Sequence, residues 1–438
     1  MIRILLTAIL LIAAAVASAR EVTEEADADI RANPVIEETP GDAAAVRVPA
    51  YIRRDLNHIT MNGADWSALR AAMAAAHDTA VNIVHIGDSH LQADFATAEI
   101  RNRLQNHFGS HGRGLIIPFR MAGTNEPHDY YFRSPDGMVT SRLLRLPWST
   151  DMAFTGVSVS PATPGPFRLT LKATQPFDSL TFFATAAGLR AESLADASGH
   201  SVDFKSAASS RTLSLSLPVS AAEVTVTLSG PRDIAVGGVS LSSGNKGVAY
   251  HVIGNNGATY STYSLISGMG AGVRALGPRL IIISLGTNEA FGKTTSAAFR
   301  TAVDELVTDL RRHNPDAALL LVTPAECYRR TTRTVSAGRT RKGKRRRGRR
   351  VTTYAVNANV KRMRDVIAAY GAEHHIPVYD WYAVAGGAGA AAHWLADKNL
   401  GRDRIHLTAA GYRLQGQLTA DALLRACQKT DDNSLRQK

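Results

Sequence analysis

The sequence lacks the features that define several specialised protein classes. Two cysteines in 438 residues, Cys327 and Cys427, are too few for a framework of disulfide bonds. The apolar run at residues 4–16 is shorter than the roughly 20 residues of a membrane-spanning helix, and no second long run follows it. The HExxH and CxxC motifs and the GxSxG motif of another serine-hydrolase class are also absent. A globular chain of about two or three domains remains.

Acidic residues are in the minority, and the excess of positive charge is confined to one segment. The chain has 50 Lys and Arg against 38 Asp and Glu, a formal net charge of +12. Such an excess is typical of proteins that bind nucleic acids or anionic surfaces. Residues 329–350, RRTTRTVSAGRTRKGKRRRGRR, contain twelve basic residues and no acidic one, and the rest of the chain is formally neutral. We predict that this segment is a solvated loop.

Residues 1–19 have the three parts of a secretory signal peptide. Arg3 precedes the apolar run, and Ala17, Ser18 and Ala19 form a small-residue cleavage site. No cysteine follows that site to accept a lipid, so the sequence predicts an exported, periplasmic or secreted protein. Export makes nucleic acid an unexpected partner. We therefore predict that the basic segment contacts anionic wall polymers or the membrane surface.

Short apolar runs alternate with helical patterns over much of the chain. Each run is rich in β-branched residues and is followed by a polar loop, and helical spacing follows at residues 91–108, 295–314 and 407–427. This alternation predicts an α/β domain in which helices cover both faces of a parallel sheet. The predicted strands are residues 81–86, 247–254, 278–286, 317–323 and 376–382.

One stretch interrupts this alternation. Residues 125–245 are rich in Ser, Thr and Val, with alternating patterns such as FRLTLKA and AEVTVTLSG separated by turn residues. They predict an all-β insert, a sandwich or jelly roll, that is a candidate carbohydrate-binding domain. The predicted organisation is therefore a flexible acidic leader at 20–50, an α/β domain formed by 51–124 and 246–428, the insert, and a flexible tail at 429–438.

Four short motifs place groups useful for ester chemistry near the ends of predicted strands. GDSH puts Ser89 between a strand and a helix, where the turn exposes its hydroxyl. NNGAT and GTNE put Gly257 and Asn288 directly after the second and third strands, and DRIH puts Asp403 three residues before His406. Because the carboxyl ends of parallel strands share one edge of the sheet, we predict that these groups meet there.

The same groups are those that acyl transfer through a serine requires. His406 is the candidate base for the Ser89 hydroxyl, and Asp403 is the candidate that holds the imidazole in the right tautomer. The amides of Ser89 and Gly257 and the carboxamide of Asn288 are candidate donors to the oxyanion. Three further histidines, His85, His90 and His393, lack a carboxylate at short spacing comparable to Asp403, and they are predicted to be packing or substrate-cleft residues.

In this order the four motifs resemble blocks I, II, III and V of the SGNH (GDSL-type) hydrolase superfamily. The resemblance implies a flavodoxin-like three-layer α/β/α sandwich with a five-stranded parallel sheet. It implies that Ser89 is the nucleophile, that Asp403 and His406 complete the triad, and that Gly257 and Asn288 belong to the oxyanion hole. It also implies that neither a metal nor an organic cofactor is required.

Longer segments resemble one branch of that superfamily. GDSHLQADFATAEIRNRLQNHFGSHGRG, VIGNNGATYS and DWYAVAGGAGAAAHW are similar to bacterial peptidoglycan O-acetylesterases, which carry a β-sandwich insert resembling a carbohydrate-binding module. This similarity implies removal of the acetyl group from the C6 hydroxyl of N-acetylmuramic acid through an acetyl-serine intermediate.

Three alternatives stay open at the level of sequence. The same triad serves O-acetyltransferases, which pass the acetyl group to another sugar, and it serves esterases that act on other acetylated polysaccharides. A glycan-binding protein with a degenerate active site is the third. Pairing of Cys327 with Cys427 is also open, because an exported chain can form disulfides and a spacing of one hundred residues does not give their distance.

Overall fold

A computed structural model describes residues 48–335 and 349–428. The predicted signal peptide, most of the predicted leader and the predicted C-terminal tail lie outside these residues. The strands, in chain order, are β1 (Ile59–Thr60), β2 (Ala80–Gly87), β3 (Gly114–Ile116), β4 (Tyr130–Arg133), β5 (Met138–Arg142), β6 (Val157–Pro161), β7 (Phe167–Ala184), β8 (Arg190–Asp196), β9 (Lys205–Ala208), β10 (Thr212–Ser229), β11 (Val236–Ser242), β12 (Gly247–Gly254), β13 (Pro278–Ser284), β14 (Ala318–Val322), β15 (Tyr328–Val335), β16 (Arg349–Val356) and β17 (Val378–Tyr379).

The helices divide into long ones that cover the sheet and short ones that follow strands. In chain order they are α1 (Ser67–Ala74), α2 (Ser89–Gln92), α3 (Phe95–Phe108), α4 (Tyr260–Ser264), α5 (Met269–Arg274), α6 (Thr287–Phe291), α7 (Ser296–His313), α8 (Ala358–Glu373), α9 (Trp381–Val384), α10 (Ala390–Ala396) and α11 (Ala409–Gln428). No helix among these is long and apolar enough to cross a membrane.

The five predicted strands of the α/β domain are confirmed, and they form one sheet. The strand order is β1-β17-β14-β13-β2-β12, in which β2, β12, β13, β14 and β17 are parallel. The two-residue strand β1 adds an antiparallel edge that the sequence did not predict, so the sheet has six strands rather than five. The central strands are mostly apolar because helices bury both of their faces, and the exceptions, such as His85 and His251, are buried with hydrogen-bond partners.

Two separate apolar cores lie on the two sides of this sheet. One packs the sheet against α4, α5, α7 and α8, and the other packs it against α1, α3 and α9–α11. Cys327 belongs to the first core and Cys427 to the second, and both are buried free thiols. The sheet therefore separates the two cysteines, and they do not form a disulfide.

The β insert is one continuous antiparallel sheet of nine strands. It begins at β3 rather than at residue 125, because residues 114–116 pair with β11. The predicted division into the two sheets of a sandwich or jelly roll is not observed. The reason is that β7 and β10, each 18 residues long, pair with each other on both sides of two register shifts and so join all the strands in one sheet. A third apolar core fills this domain.

A buried network of four charges joins the insert to the α/β domain. Asp94, at the start of α3, accepts hydrogen bonds from Arg101 at 2.9 Å and from Arg113 at 2.8 Å. The same two arginines also bond Asp129, which precedes β4. Since an unpaired buried charge is costly, the reciprocal pairing fixes the insert against the segment that follows Ser89.

The described residues of the basic segment belong to a β-hairpin formed by β15 and β16. Residues 328–335 pair with residues 349–356 in antiparallel register, so the predicted loop is wrong for these flanks. Residues 336–348 lie outside the described residues. Threonine pairs such as Thr332 and Thr352, whose hydroxyls are 3.1 Å apart, favour the extended conformation.

Candidate active site

Ser89 lies at the turn between β2 and α2, at the carboxyl edge of the sheet. The side chain of Asp88 caps the helix by accepting a hydrogen bond from the His90 amide at 2.9 Å. Helix α2 also lies close to the end of β12. A β-carbon at Gly254 would be 2.8 Å from the backbone nitrogen of Gln92, so glycine is needed there.

Asp403 and His406 lie on a tight loop that precedes α11. The amide of Gly401 donates to the carbonyl of His406 at 2.7 Å and closes the loop. Inside it, Oδ1 of Asp403 accepts hydrogen bonds from the amides of Ile405 and His406 at 3.0 and 3.1 Å. Oδ2 of Asp403 therefore remains available to bond the imidazole of His406. The three-residue spacing in DRIH is the spacing that lets the carboxylate bond both the loop amides and the ring.

The structure brings Ser89, His406 and Asp403 into one hydrogen-bonded row. Ser89 Oγ is 2.7 Å from His406 Nε2, and His406 Nδ1 is 2.6 Å from Asp403 Oδ2. Burial alone would raise the pKa of Asp403 and lower that of His406, because it disfavours the charged form of each. The hydrogen bond between the two side chains and their opposite charges outweigh burial, so the pKa of Asp403 is lowered and that of His406 is raised. The row can accept the serine proton at Nε2 while Asp403 stabilises the resulting imidazolium.

The predicted oxyanion residues lie on the two neighbouring loops. Gly257 has a φ of +79°, in the left-handed region that favours glycine, in the turn after β12. Asn288 lies on α6, where its Nδ2 donates to the Ala258 carbonyl at 2.9 Å and to Asp88 Oδ2 at 3.3 Å. Asn288 therefore bridges the residue after Gly257 and the residue before Ser89, and the three candidate donors share one corner of the sheet edge.

Two buried carboxyl groups flank this corner. Burial raises the pKa of Asp88 to about 6 and that of Glu289 to about 7. Glu289 Oε1 accepts a hydrogen bond from the Tyr260 amide at 2.9 Å and so joins α6 to α4. Negative charge beside the Ser89 turn therefore decreases as the pH falls below 7, which favours an oxyanion at this place.

Gln92 is a site residue that the sequence analysis missed. Its Oε1 accepts a hydrogen bond from the Asn256 amide at 2.7 Å, and its Nε2 donates to the Asn125 carbonyl and the Thr124 hydroxyl, each at 2.8 Å. Asn256 Nδ2 also donates to Asn125 Oδ1 at 2.7 Å. The segment between β3 and β4 of the insert thus holds the turn that carries Gly257. In the sequence, the only indication of this role is that Gln92 is a polar residue three positions after Ser89.

Replacing Gln92 with alanine is expected to lower kcat about 10-fold with a small change in KM, because the Gly257 amide loses its support while the triad stays intact. The measurement is steady-state hydrolysis of an aryl acetate. Gln105→Ala is the matched control, since Gln105 bonds the carbonyls of Gly112 and Val248 away from the site. Equal losses in both variants would show that Gln92 acts through general stability.

His90 is also closer to the chemistry than the sequence indicated. Its ring centroid is 5.1 Å from that of His406, and its Nδ1 is 2.9 Å from the Tyr412 hydroxyl. Burial and the nearby His406 lower the pKa of His90 to about 3, so the ring beside His406 is neutral. By contrast His85 is buried within the sheet against Tyr250, a packing role.

Known proteins resemble this chain in part or in whole. Residues 236–414 match the GDSL-like lipase/acylhydrolase family, a range that includes Gly257, Asn288 and the Asp403–His406 loop. The solved structure of a peptidoglycan O-acetylesterase is 20% identical, with a TM-score of 0.67 over 85% of this chain and 99% of that one. A lipase/acylhydrolase from Enterococcus faecalis is 22% identical, with a TM-score of 0.28 over 41% of this chain and 76% of that one. No curated protein sequence matches significantly.

The family match and the geometry cover complementary parts of the site. Ser89 lies outside residues 236–414, since the β insert separates it from the matched range in sequence. The fold returns it to hydrogen-bonding distance of His406. In the described residues no group of three or more His, Cys, Asp or Glu side chains is arranged to hold a metal ion. Residues 236–414 thus resemble GDSL-like acylhydrolases, and this match together with the Ser89–His406–Asp403 contacts supports a carboxylic ester hydrolase.

Proposed function

We propose that this protein is an exported serine esterase that removes O-acetyl groups from peptidoglycan, at the C6 hydroxyl of N-acetylmuramic acid. The observation that carries the proposal is the row Ser89–His406–Asp403, with contacts of 2.7 and 2.6 Å, beside the loops of Gly257 and Asn288. An intact row also argues against a glycan-binding protein with a degenerate site.

The proposed reaction has two halves that use the same groups. Ser89 Oγ attacks the acetyl carbonyl and its proton passes to His406 Nε2, while the amides of Ser89 and Gly257 and the Asn288 carboxamide stabilise the oxyanion. The carbon–oxygen bond to the sugar then breaks, and the sugar oxygen takes the proton from His406. Water attacks acetyl-Ser89 by the same route, giving acetate and free Ser89.

Substrate class is the part of the proposal that rests on similarity. The peptidoglycan O-acetylesterase resembles this chain over 85% of its length, so the shared region extends beyond the α/β domain into the β insert. An insert next to the sheet edge that holds Ser89 is suited to contact a polymer. The proposal also includes export to the periplasm or the medium through residues 1–19, which places the enzyme where peptidoglycan occurs.

We expect the protein to release acetate from O-acetylated peptidoglycan about 10-fold faster than from acetylated xylan at equal acetyl content. Acetate release is measured on both polymers, and chemically de-acetylated peptidoglycan is the blank. Hydrolysis of aryl acetate shows separately that the triad is active. Faster release from xylan would contradict the peptidoglycan assignment. Transfer of acetyl to an added chitooligosaccharide in place of acetate release would identify an O-acetyltransferase.

A further inference from the structure

The β15–β16 hairpin, here called the basic hairpin, is anchored to the loop that carries the catalytic imidazole. The guanidinium of Arg404 lies over the ring of Tyr354, 3.9 Å from its centroid, and over that of Tyr328 at 5.5 Å. The amide of Tyr328 also donates to the Arg404 carbonyl at 2.9 Å. Arg404 stands between Asp403 and His406 in sequence, so the hairpin begins at the site itself.

A second anchor joins the hairpin to the helix that carries Asn288. Arg329 Nη2 donates to the carbonyl of Ala290 at 2.9 Å, and its guanidinium lies 5.5 Å from the ring centroid of Phe291. Both of these partners belong to α6. The hairpin is therefore held between the Asp403–His406 loop and α6, two of the elements that form the candidate site.

The two faces of the basic hairpin differ. The strand register pairs Tyr328 with Val356, Arg330 with Tyr354 and Thr334 with Arg350, so these residues share one face. Arg404 packs on the tyrosines of this face, whereas Arg333 lies on the other. Arg330 and Arg350 are exposed. The face that packs on Arg404 of the His406 loop, here called the site-side face, thus carries Arg330 and Arg350 in a row that leads away from that loop. Arg329, which bonds α6, lies on the opposite face with Arg333.

The guanidinium groups on this face indicate which class of ligand it binds. Guanidinium groups bind carboxylates and phosphates in a planar, two-point manner. Arg330 and Arg350 lie on one face, on opposite strands and four residue pairs apart, which is a spacing of about 13 Å along the hairpin. Between these two arginines the described side chains of this face are threonines. The aromatic and aliphatic residues of the face, Tyr328, Tyr354 and Val356, lie at the end of the hairpin next to the His406 loop. A row of cations suits an extended chain that carries anions at intervals better than it suits a membrane surface.

We propose that the site-side face of the basic hairpin binds carboxylates of the glycan polymer whose acetyl group is at Ser89. This inference rests on the proposed function, since peptidoglycan carries free carboxylates on its stem peptides. The hairpin is then an interaction surface that lowers KM for the polymer, and the contact is electrostatic and sensitive to salt.

The test compares Arg330→Gln/Arg350→Gln with Arg333→Gln, which removes an exposed arginine from the opposite face. For each protein, kcat/KM is measured on O-acetylated peptidoglycan and on aryl acetate, and their ratio is the readout. At about 0.05 M salt we expect the ratio to fall about 5-fold in the double variant and to equal the parent value in Arg333→Gln. At about 1 M salt, where the Debye length is about 3 Å, we expect the three ratios to converge.

The outcomes distinguish this inference from the proposed function. If the parent hydrolyses aryl acetate but not the polymer, the proposed function fails and this inference fails with it. If the parent releases acetate from the polymer and the double variant keeps the parent ratio, the hairpin inference alone is overturned. Loss of binding to vesicles of anionic phospholipid with an unchanged ratio would overturn it in favour of a membrane surface.

Discussion

Replacing Ser89 with alanine is expected to reduce acetate release about 10⁵–10⁶-fold, on the polymer and on aryl acetate alike. The reason is that Ser89 Oγ lies 2.7 Å from His406 Nε2, so the substitution removes the proposed nucleophile and leaves the proposed base without a proton to take. The residual rate would come from the oxyanion-hole donors and from substrate binding alone. A continuous assay on aryl acetate, followed by single-turnover acetate release from peptidoglycan, covers this range.

Ser264→Ala is the control for this prediction, because Ser264 is exposed on α4 and its hydroxyl bonds the Tyr260 carbonyl. It should retain the parent rate. Thermal unfolding of both variants should match the parent, since Ser89 belongs to no apolar core. An Ser89→Ala protein that keeps even a hundredth of the parent rate would show that another group attacks the ester.

The α/β sheet could be read from the sequence because of where its strands lie. Strands buried on both faces are mostly apolar, so residues 81–86, 247–254 and 278–286 stand out as short apolar-rich runs. The apolar run at 376–382 predicts a strand longer than the observed β17. The strand ends at Tyr379 because Asp380 caps a helix that starts at Trp381. Apolar residues of a short helix and of a strand look alike over such a length.

The site was predictable where motif spacing fixes geometry, and less so where distant segments meet. Asp403 and His406 are three residues apart, so one turn brings their side chains together. Gln92 and Asn125, by contrast, are joined by a contact across 33 residues that depends on how the insert folds back. Arg404 stacks on Tyr354, and no local pattern indicates that contact. Such long-range pairs need the tertiary structure.

Replacing Asp403 with asparagine is expected to lower kcat about 10³–10⁴-fold, a large loss that is still about 100-fold smaller than the loss expected for Ser89→Ala. The carboxylate bonds His406 Nδ1 at 2.6 Å and so keeps the proton on that nitrogen, which leaves Nε2 free to accept the serine proton. An amide can present its NH₂ group to the ring and favour the other tautomer. Asp397→Asn is the matched control, because Asp397 is an exposed carboxylate at the end of α10 and should leave kcat unchanged.

The pH profile separates this role from a structural one. In the parent, burial lowers the pKa of His406, but the hydrogen bond and charge of Asp403 outweigh it and raise the pKa above its ordinary value. Activity therefore appears as the pH rises through that raised pKa, because neutral imidazole is the base. In Asp403→Asn the burial and the weaker raising effect of the Asp88 charge remain, but the two larger raising causes are lost, so the acid limb of kcat should move to lower pH while the plateau falls. An acid limb at the parent position with a lowered plateau would mean that Asp403 supports the loop without setting the charge on His406.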